Sequence, residues 1–282
     1  DFIVINKPAG LLVHPVRGCH AKNIFTEVAT AHPASNGVNK SVLNREDLNK
    51  DEETLVGWLL KNYPQIKNVG EDIINRPGIV HRLDRETSGV MIIPLNQKSF
   101  DHFKKLFSPY GRSPEGRQGS QIKKTYLVLV YGTVKSDRVV IDKPIGIKSG
   151  TTRRSVHCAR MAKEAITEFE VVKRFRYKNQ DLTLLKAYPK TGRTHQIRVH
   201  LAYIHCPVVG DKMYGRKNDL FPEIGRQFLH AESIEFQDTK GKTLKFSAEG
   251  GSASGGKAAR IKTLKFKAAL PKELKTFLNN NS

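Results

Sequence analysis

The 282-residue chain carries 48 Lys plus Arg against 27 Asp plus Glu, a formal charge of +21, and 38% of its residues are hydrophobic. That length and apolar content suit one large globular domain or two ordinary ones, and exclude both a disordered chain and a disulfide-stapled miniprotein. Positive charge of this size costs self-repulsion unless an anionic partner, nucleic acid or an acidic membrane surface, makes use of it; the bland alternative is solubility through Lys-rich faces.

The longest uninterrupted apolar run, residues 126–131, is far too short to cross a bilayer, so no transmembrane helix and no membrane partner is expected. Cys19, Cys158 and Cys206 are odd in number, far apart and without a Cys-x-x-Cys pair. They argue against a disulfide framework and a structural zinc site, and for a reducing, cytoplasmic setting. The chain begins at Asp1 with no secretory signal.

In chain order, residues 2–6 form a β-prone run that stops at Lys7-Pro8-Ala9-Gly10, where Pro cannot donate to a ladder and Gly permits a reversal. Residues 54–63 place Leu55, Trp58 and Leu59 at helical spacing and end before Pro64; Phe100, Phe103, Leu106 and Phe107 repeat that pattern in a second amphipathic helix. Residues 125–131 are apolar on both alternate sets, as expected of a central strand covered on both faces. Residues 166–172 and 182–188 read as an antiparallel pair separated by the polar segment 173–181. From Thr194, a plausible N-cap, a helix is predicted with Ile197, Leu201 and Ile204 on one stripe and His195, Arg198 and Ala202 on the next.

Three polar or charge-dense stretches, 31–53, 108–121 and 248–259, read as loop insertions. The last lies between the near-copies 242–246 and 262–266, a local duplication or two similar strands rather than a repeat architecture.

The densest polar cluster is His81-Arg82-Leu83-Asp84-Arg85-Glu86-Thr87-Ser88-Gly89, wedged between apolar Ile79-Val80 and Val90-Met91-Ile92-Ile93. A carboxylate between two guanidinium groups stays ionised at neutral pH, as a nucleophile or base requires. For an isolated Asp, a salt-bridged loop carboxylate is the commoner explanation. His195 and His200 lie five apart with no carboxylate between them, off the spacing of zinc-binding helices, so no metal site is expected.

The 81–89 cluster resembles the signature of the RluA family of pseudouridine synthases. Lys7-Pro8-Ala9-Gly10-Leu11-Leu12-Val13-His14-Pro15 is similar to that family's opening motif, and Lys124-Thr125-Tyr126 to its Lys-x-Tyr strand. Gly192-Arg193-Thr194-His195-Gln196-Ile197-Arg198-Val199-His200 resembles its third motif, followed by Val209-Gly210-Asp211-Lys212-Met213-Tyr214-Gly215. Four motifs in family order, spread from about Asp1 to Phe277, make chance agreement remote.

The resemblance implies a single α+β catalytic domain over 1–282. Its core would be a large mixed, mainly antiparallel sheet with flanking helices and loops around a central cleft. It also implies the isomerisation of specific uridines in rRNA or tRNA, with structured RNA as partner and the protein a monomer. Asp84 would be the catalytic nucleophile or base, Tyr126 the aromatic that packs on the target base, and Arg198 the basic partner of Asp84. His81, Arg82, Lys124, Arg193 and His195 would contact RNA, with Arg82 entering the space left by the extruded nucleotide.

Breaking the base–ribose bond, turning the uracil and rejoining it through carbon 5 gains and loses no atoms, so no cofactor or metal is expected. A carboxylate must reach the ribose of a base already out of the stack, and a buried cation must hold it charged, a task for which Lys lacks the bidentate geometry of Arg. Tyr126 could equally be an ordinary core tyrosine. His14, Arg17, Arg153, Arg154, Arg160, Arg193 and Lys212 are each more commonly solvated charges, but together supply attraction to phosphates. A noncatalytic RNA-binding protein on the same fold is the alternative; it would retain RNA without changing it.

Overall fold

The computed structural model describes residues 1–15, 54–108, 121–157, 160–238 and 262–281. The three predicted insertions fall outside them, apart from Ser108 and Gln121, as do Arg17, Cys19, Cys158 and the first near-copy, 242–246.

Among the described residues the elements run β1 (Phe2–Lys7), α1 (Leu55–Asn62), β2 (Ser88–Pro94), α2 (Gln97–Phe107), β3 (Lys123–Tyr131), β4 (Arg138–Asp142), β5 (Gly146–Ile147), β6 (Arg154–Ser155), β7 (Ile166–Tyr177), β8 (Gln180–Pro189), α3 (Gln196–Tyr203), β9 (Leu229–Asp238), β10 (Lys262–Lys267) and α4 (Lys272–Asn281). The main sheet has the order β1-β2-β9-β3-β8-β7-β4, with β10 also paired to β9. Every pairing in it is antiparallel except β2 with β9, so it is mixed and mainly antiparallel, and the α+β expectation holds. The second near-copy is a strand, β10.

Both faces of the sheet are covered, which is why its strands read as continuous apolar runs. Met91 and Ile93 of β2 face a core with α1, whereas Val90 and Ile92 face one with α2. Val128 and Val130 of β3 pack towards α3, and Leu129 and Tyr131 towards α4. Tyr126 touches the cores of both α1 and α3, so it sits at the seam between two clusters on one face. A register shift between Thr125 and Tyr126 in the β3–β9 ladder marks the same point. Bulges of this kind re-aim a side chain.

The first helix starts where the sequence indicates, and α3 does not. Thr54 caps α1 by accepting from Gly57 N at 3.2 Å, and Asn96 caps α2 by accepting from Ser99 N at 2.9 Å. At α3 the predicted N-cap, Thr194, is displaced by His195, whose backbone is left-handed at φ 57° and whose side chain makes no cap bond. The hydroxyl of Thr194 instead accepts from Arg82 at 3.1 Å. Gln196 ties the helix start to the turn before it and to β7, accepting from Arg193 N at 2.9 Å and Thr191 Oγ1 at 2.7 Å and donating to Ile166 O.

The polar segment 173–181 is also not a loop. β7 and β8 run through it to a tight turn at Lys178 and Asn179, both at positive φ. A hairpin arm wetted on its faces has no need of apolar residues, and turns with positive φ at both central positions match strand twist.

Candidate active site

A cavity of about 340 Å³ opens on the sheet face at the Tyr126 seam, within the usual range of roughly 300–1,000 Å³ for small-molecule sites. Its floor includes Tyr126 of β3 and Leu229 of β9; one wall is the segment 79–84 and the other the segment 191–198. The structure therefore brings Asp84, Tyr126 and Arg198 to one cleft, and His81, Arg82, Lys124, Arg193 and His195 line it with them.

Arg198 organises the charges. It is buried, and its Nη1 donates to Asp84 Oδ2 at 2.9 Å. Its Nε and Nη2 donate to the two carboxylate oxygens of Asp211 at 2.7 and 2.8 Å. The guanidinium also lies over the Tyr214 ring, 5.0 Å from the centroid. Burial pulls the Arg198 pKa down, but the hydrogen bonds and charges of Asp211 and Asp84 outweigh it and raise the value, so the cation is permanent.

Asp211 is fully buried, and burial alone would raise its pKa. Arg198 and the backbone N–H groups of Met213 and Tyr214, at 2.9 and 3.0 Å, reverse that and hold it low. Two carboxylates thus share one guanidinium: Asp211 fixes its plane, and Asp84 meets its remaining edge with 23% of its own side chain exposed. Among the described residues, Asp84 Oδ1 accepts no hydrogen bond, and it lies 3.9 Å from His195 Nε2.

The loop carrying Asp84 is held from behind. Lys7 is fully buried, and its ammonium donates to the carbonyls of Pro8, Leu11 and Arg85 at 2.8–2.9 Å. Burial lowers its pKa to about 7, opposed by Glu86 and Asp84. Arg226 donates to Glu86 O and Ser88 Oγ, both at 3.0 Å, and reaches Glu273 of α4. Gly89 must lie against β9, because a Cβ there would come within 2.2 Å of Ala231 O.

The remaining residues divide into rim and lining. Arg82 is exposed and ties the two walls together, with Nη1 3.2 Å from His14 Nε2 and Nη2 bonded to Thr194. Arg193 donates to Glu164 O at 2.9 Å. Lys124 is buried, 3.5 Å from Thr191 O, and burial lowers its pKa to about 8. His81 stacks on Phe107 at 4.3 Å and accepts from Ile92 N at 2.9 Å. Burial lowers its pKa to about 3, so it offers the cleft a neutral ring rather than a charge for phosphate. Burial also raises the Tyr126 pKa, with Asp84 adding to it, so the phenol is neutral.

His200 is structural, bonded to Thr167 Oγ1 at 2.9 Å and Lys143 O at 3.0 Å. Of the other basic residues considered for phosphate contact, Arg153, Arg160 and Lys212 are exposed and do not line this cleft. Among the described residues no cluster of His, Cys, Asp and Glu could hold a metal ion.

Sequence reasoning assigned no role to Asp211, Tyr214, Lys7 or Arg226. Asp211 was discoverable: a buried Arg asked to face one carboxylate needs further acceptors for its other N–H groups, and an acidic residue in the motif after α3 supplies them.

A fold that sets an Asp–Arg pair and a tyrosine in a basic cleft across a mixed sheet defines a class, and the comparisons agree. The family model for RNA pseudouridylate synthase matches residues 1–203, and the chain belongs to that family. The RluA-type resemblance of its motifs is borne out by its relatives. An Aquifex aeolicus protein named "uncharacterized RNA pseudouridine synthase" is 37% identical, the match covering 79% of this chain and 56% of that one. The Vibrio cholerae protein named "ribosomal large subunit pseudouridine synthase D" is 32% identical over 88% of this chain and 64% of its own length. This chain thus spans somewhat under two thirds of the length of these curated relatives.

Among solved structures, human RNA pseudouridylate synthase domain containing 1 matches with a TM-score of 0.51 and 27% identity over 65% of this chain and 69% of that one. Human RNA pseudouridylate synthase domain containing 4 shares the fold, with a TM-score of 0.59 and 20% identity over 99% and 88%.

Proposed function

We propose that this chain is a cofactor-independent RNA pseudouridine synthase acting on specific uridines of structured RNA, with Asp84 as the group that engages the ribose. The observation that carries the reading is the one-sided clamp on Asp84. Arg198, locked by Asp211, holds Oδ2, while Oδ1 faces the cleft free to react. From there the carboxylate either attacks C1′ of the ribose or removes a proton from C2′. Either route breaks the C1′–N1 bond and releases uracil, which turns and rejoins C1′ through C5; at that step the Asp84–C1′ bond of the first route breaks, or the proton taken from C2′ in the second returns to it, and the C5 proton is lost while N1 gains one, so atoms balance.

Tyr126 on the floor offers a ring on which an extruded uracil can stack, a contact worth about 1–3 kcal/mol in base-binding proteins generally. Arg82 at the rim fits the role of filling the gap left in the RNA, and Arg193 with the wider basic surface fits phosphate binding. The relatives named as ribosomal large subunit pseudouridine synthase D favour ribosomal RNA, with tRNA the second class to be tried. The reading includes one catalytic domain acting as a monomer in the cytoplasm. No helix among the described residues is long and apolar enough to cross a membrane.

The test is to incubate the purified protein, and its Asp84→Ala variant, with unmodified rRNA and tRNA and map new carbodiimide-reactive positions. The wild type should create discrete sites and the variant none. RNA retention without new sites would support the noncatalytic alternative.

A further inference from the structure

His195 and Tyr214 do more in the cleft wall than present charge to RNA. His195 Nδ1 is 2.9 Å from the Tyr214 hydroxyl, and the rings meet edge to face at 5.5 Å and 69°. The same hydroxyl oxygen accepts from Arg154 N at 2.9 Å. A phenol has one proton to give. The Arg154 N–H takes one acceptor position of that oxygen, and a hydroxyl that gives its own proton to Nδ1 would leave the imidazole proton on Nε2. That nitrogen is the atom aimed at Asp84 Oδ1, at 3.9 Å. The aim is costly: His195 holds a left-handed backbone, φ 57° and ψ 20°, at the head of α3. Non-glycine residues in that region are strained and cluster at functional sites.

We propose that Arg154 N–H, the Tyr214 hydroxyl and the His195 imidazole form a positioning relay that presents an Nε2–H donor to the free oxygen of Asp84. The inference rests on the proposed role of Asp84. Arg198 fixes one carboxylate oxygen permanently; His195 steadies the other and yields it to the ribose. The separation exceeds a hydrogen bond and closes when substrate binds, as catalytic hydrogen bonds commonly tighten in the complex. His195 is a positioning residue, and Tyr214 acts one step further back.

The relay works with neutral imidazole. The groups facing His195 are Asp84 and Arg82 from one wall, Arg198 from α3, and Asp211 and Tyr214 from the loop beyond it. Burial lowers its pKa, the positive charges of Arg198 and Arg82 act the same way, and Asp84 and Asp211 oppose them. Acid would turn the imidazole into a double donor and set a second cation against the reacting carboxylate.

Two measurements test this. In the first, ¹⁵N-histidine labelling of the full chain reports the tautomer without reference to activity. The wild type should show His195 with Nε2 protonated and Nδ1 as acceptor, and Tyr214→Phe should mix the tautomers. In the second, single-turnover tritium release is followed on transcribed large-subunit rRNA carrying 5-tritiated uridine. Tyr214→Phe and His195→Ala should slow release about tenfold to a hundredfold with RNA affinity unchanged. His195→Gln, which keeps an N–H, should recover most of the rate and shift the acid limb of the profile to lower pH.

An Nδ1-protonated His195 in the wild type, or variant rates and acid limbs matching the wild type, would overturn the relay. Loss of affinity in proportion to rate would also overturn it, by returning His195 to RNA binding. If the wild type releases no tritium, the functional reading fails instead, and the tautomer measurement still decides the relay.

Discussion

Two buried cations flank the Asp84 loop and are satisfied in opposite ways. Lys7, behind it, is enclosed by three backbone carbonyls, and burial drags its pKa down to about 7. Arg198, in front, faces two carboxylates that raise its pKa despite burial. Neutral dipoles satisfy donors without fully replacing the hydration of a charge, whereas carboxylates do both. The back of the loop is therefore a clamp whose charge can be titrated, and the front is a fixed electrostatic support for the Asp84 carboxylate.

Removing the front cation should have the larger effect. Arg198→Met leaves Asp211 charged in a buried site, and breaking such a pair typically costs about 3–5 kcal/mol. Urea denaturation should show that loss, and pseudouridine formation should disappear with it. Arg198→Lys should fold better yet remain severely impaired, because a single ammonium cannot grip Asp211 side-on and still reach Asp84.

Lys7→Met should cost less, about 1–3 kcal/mol for carbonyls left unpaired. It should also alter the pH dependence. The native pKa of about 7 lies below the unfolded value of 10.5, so above pH 7 the unfolded chain binds the extra proton. Wild-type stability should therefore gain up to about 1.4 kcal/mol per pH unit from Lys7 between pH 7 and 10.5, a slope absent in the variant. Arg198 contributes no slope in that range. Denaturation of both proteins across that window measures the difference.

The smallest effect lies on the acid side. Burial lowers the pKa of His230 from 6.5 to about 4. Unfolded chains bind that proton first as pH falls below 6.5, so the stability it contributes is lost between pH 6.5 and 4, by up to about 1.4 kcal/mol per unit. His230→Gln should flatten that part of the profile.

Much of this arrangement is legible in the chain. Apolar residues on both alternate sets of 125–131 announce a central strand, and the polar stretch between Ile79-Val80 and Val90–Ile93 marks a loop held in a core. Strands β4 and β9 and helix α4 are hard to read because their pairing depends on distant partners rather than local pattern. The hairpin through 173–181 hides for a related reason: exposed arms need no periodic apolar residues. The start of α3 is misread because the Thr194 hydroxyl accepts from Arg82 across the cleft instead of from the helix, which begins after a left-handed His195. Asp84, Tyr126 and Arg198 stand in motifs, but the second carboxylate on Arg198 appears only when its N–H groups are counted in space.

The central claim is that Asp84, clamped on one oxygen by Arg198, engages the ribose of an extruded uridine. The most direct measurement is single-turnover tritium release from 5-tritiated uridine in rRNA by the wild type and Asp84→Asn, with both proteins shown to fold and bind RNA alike. The account predicts release by the wild type and none above background by the variant. Comparable release from the variant would contradict it.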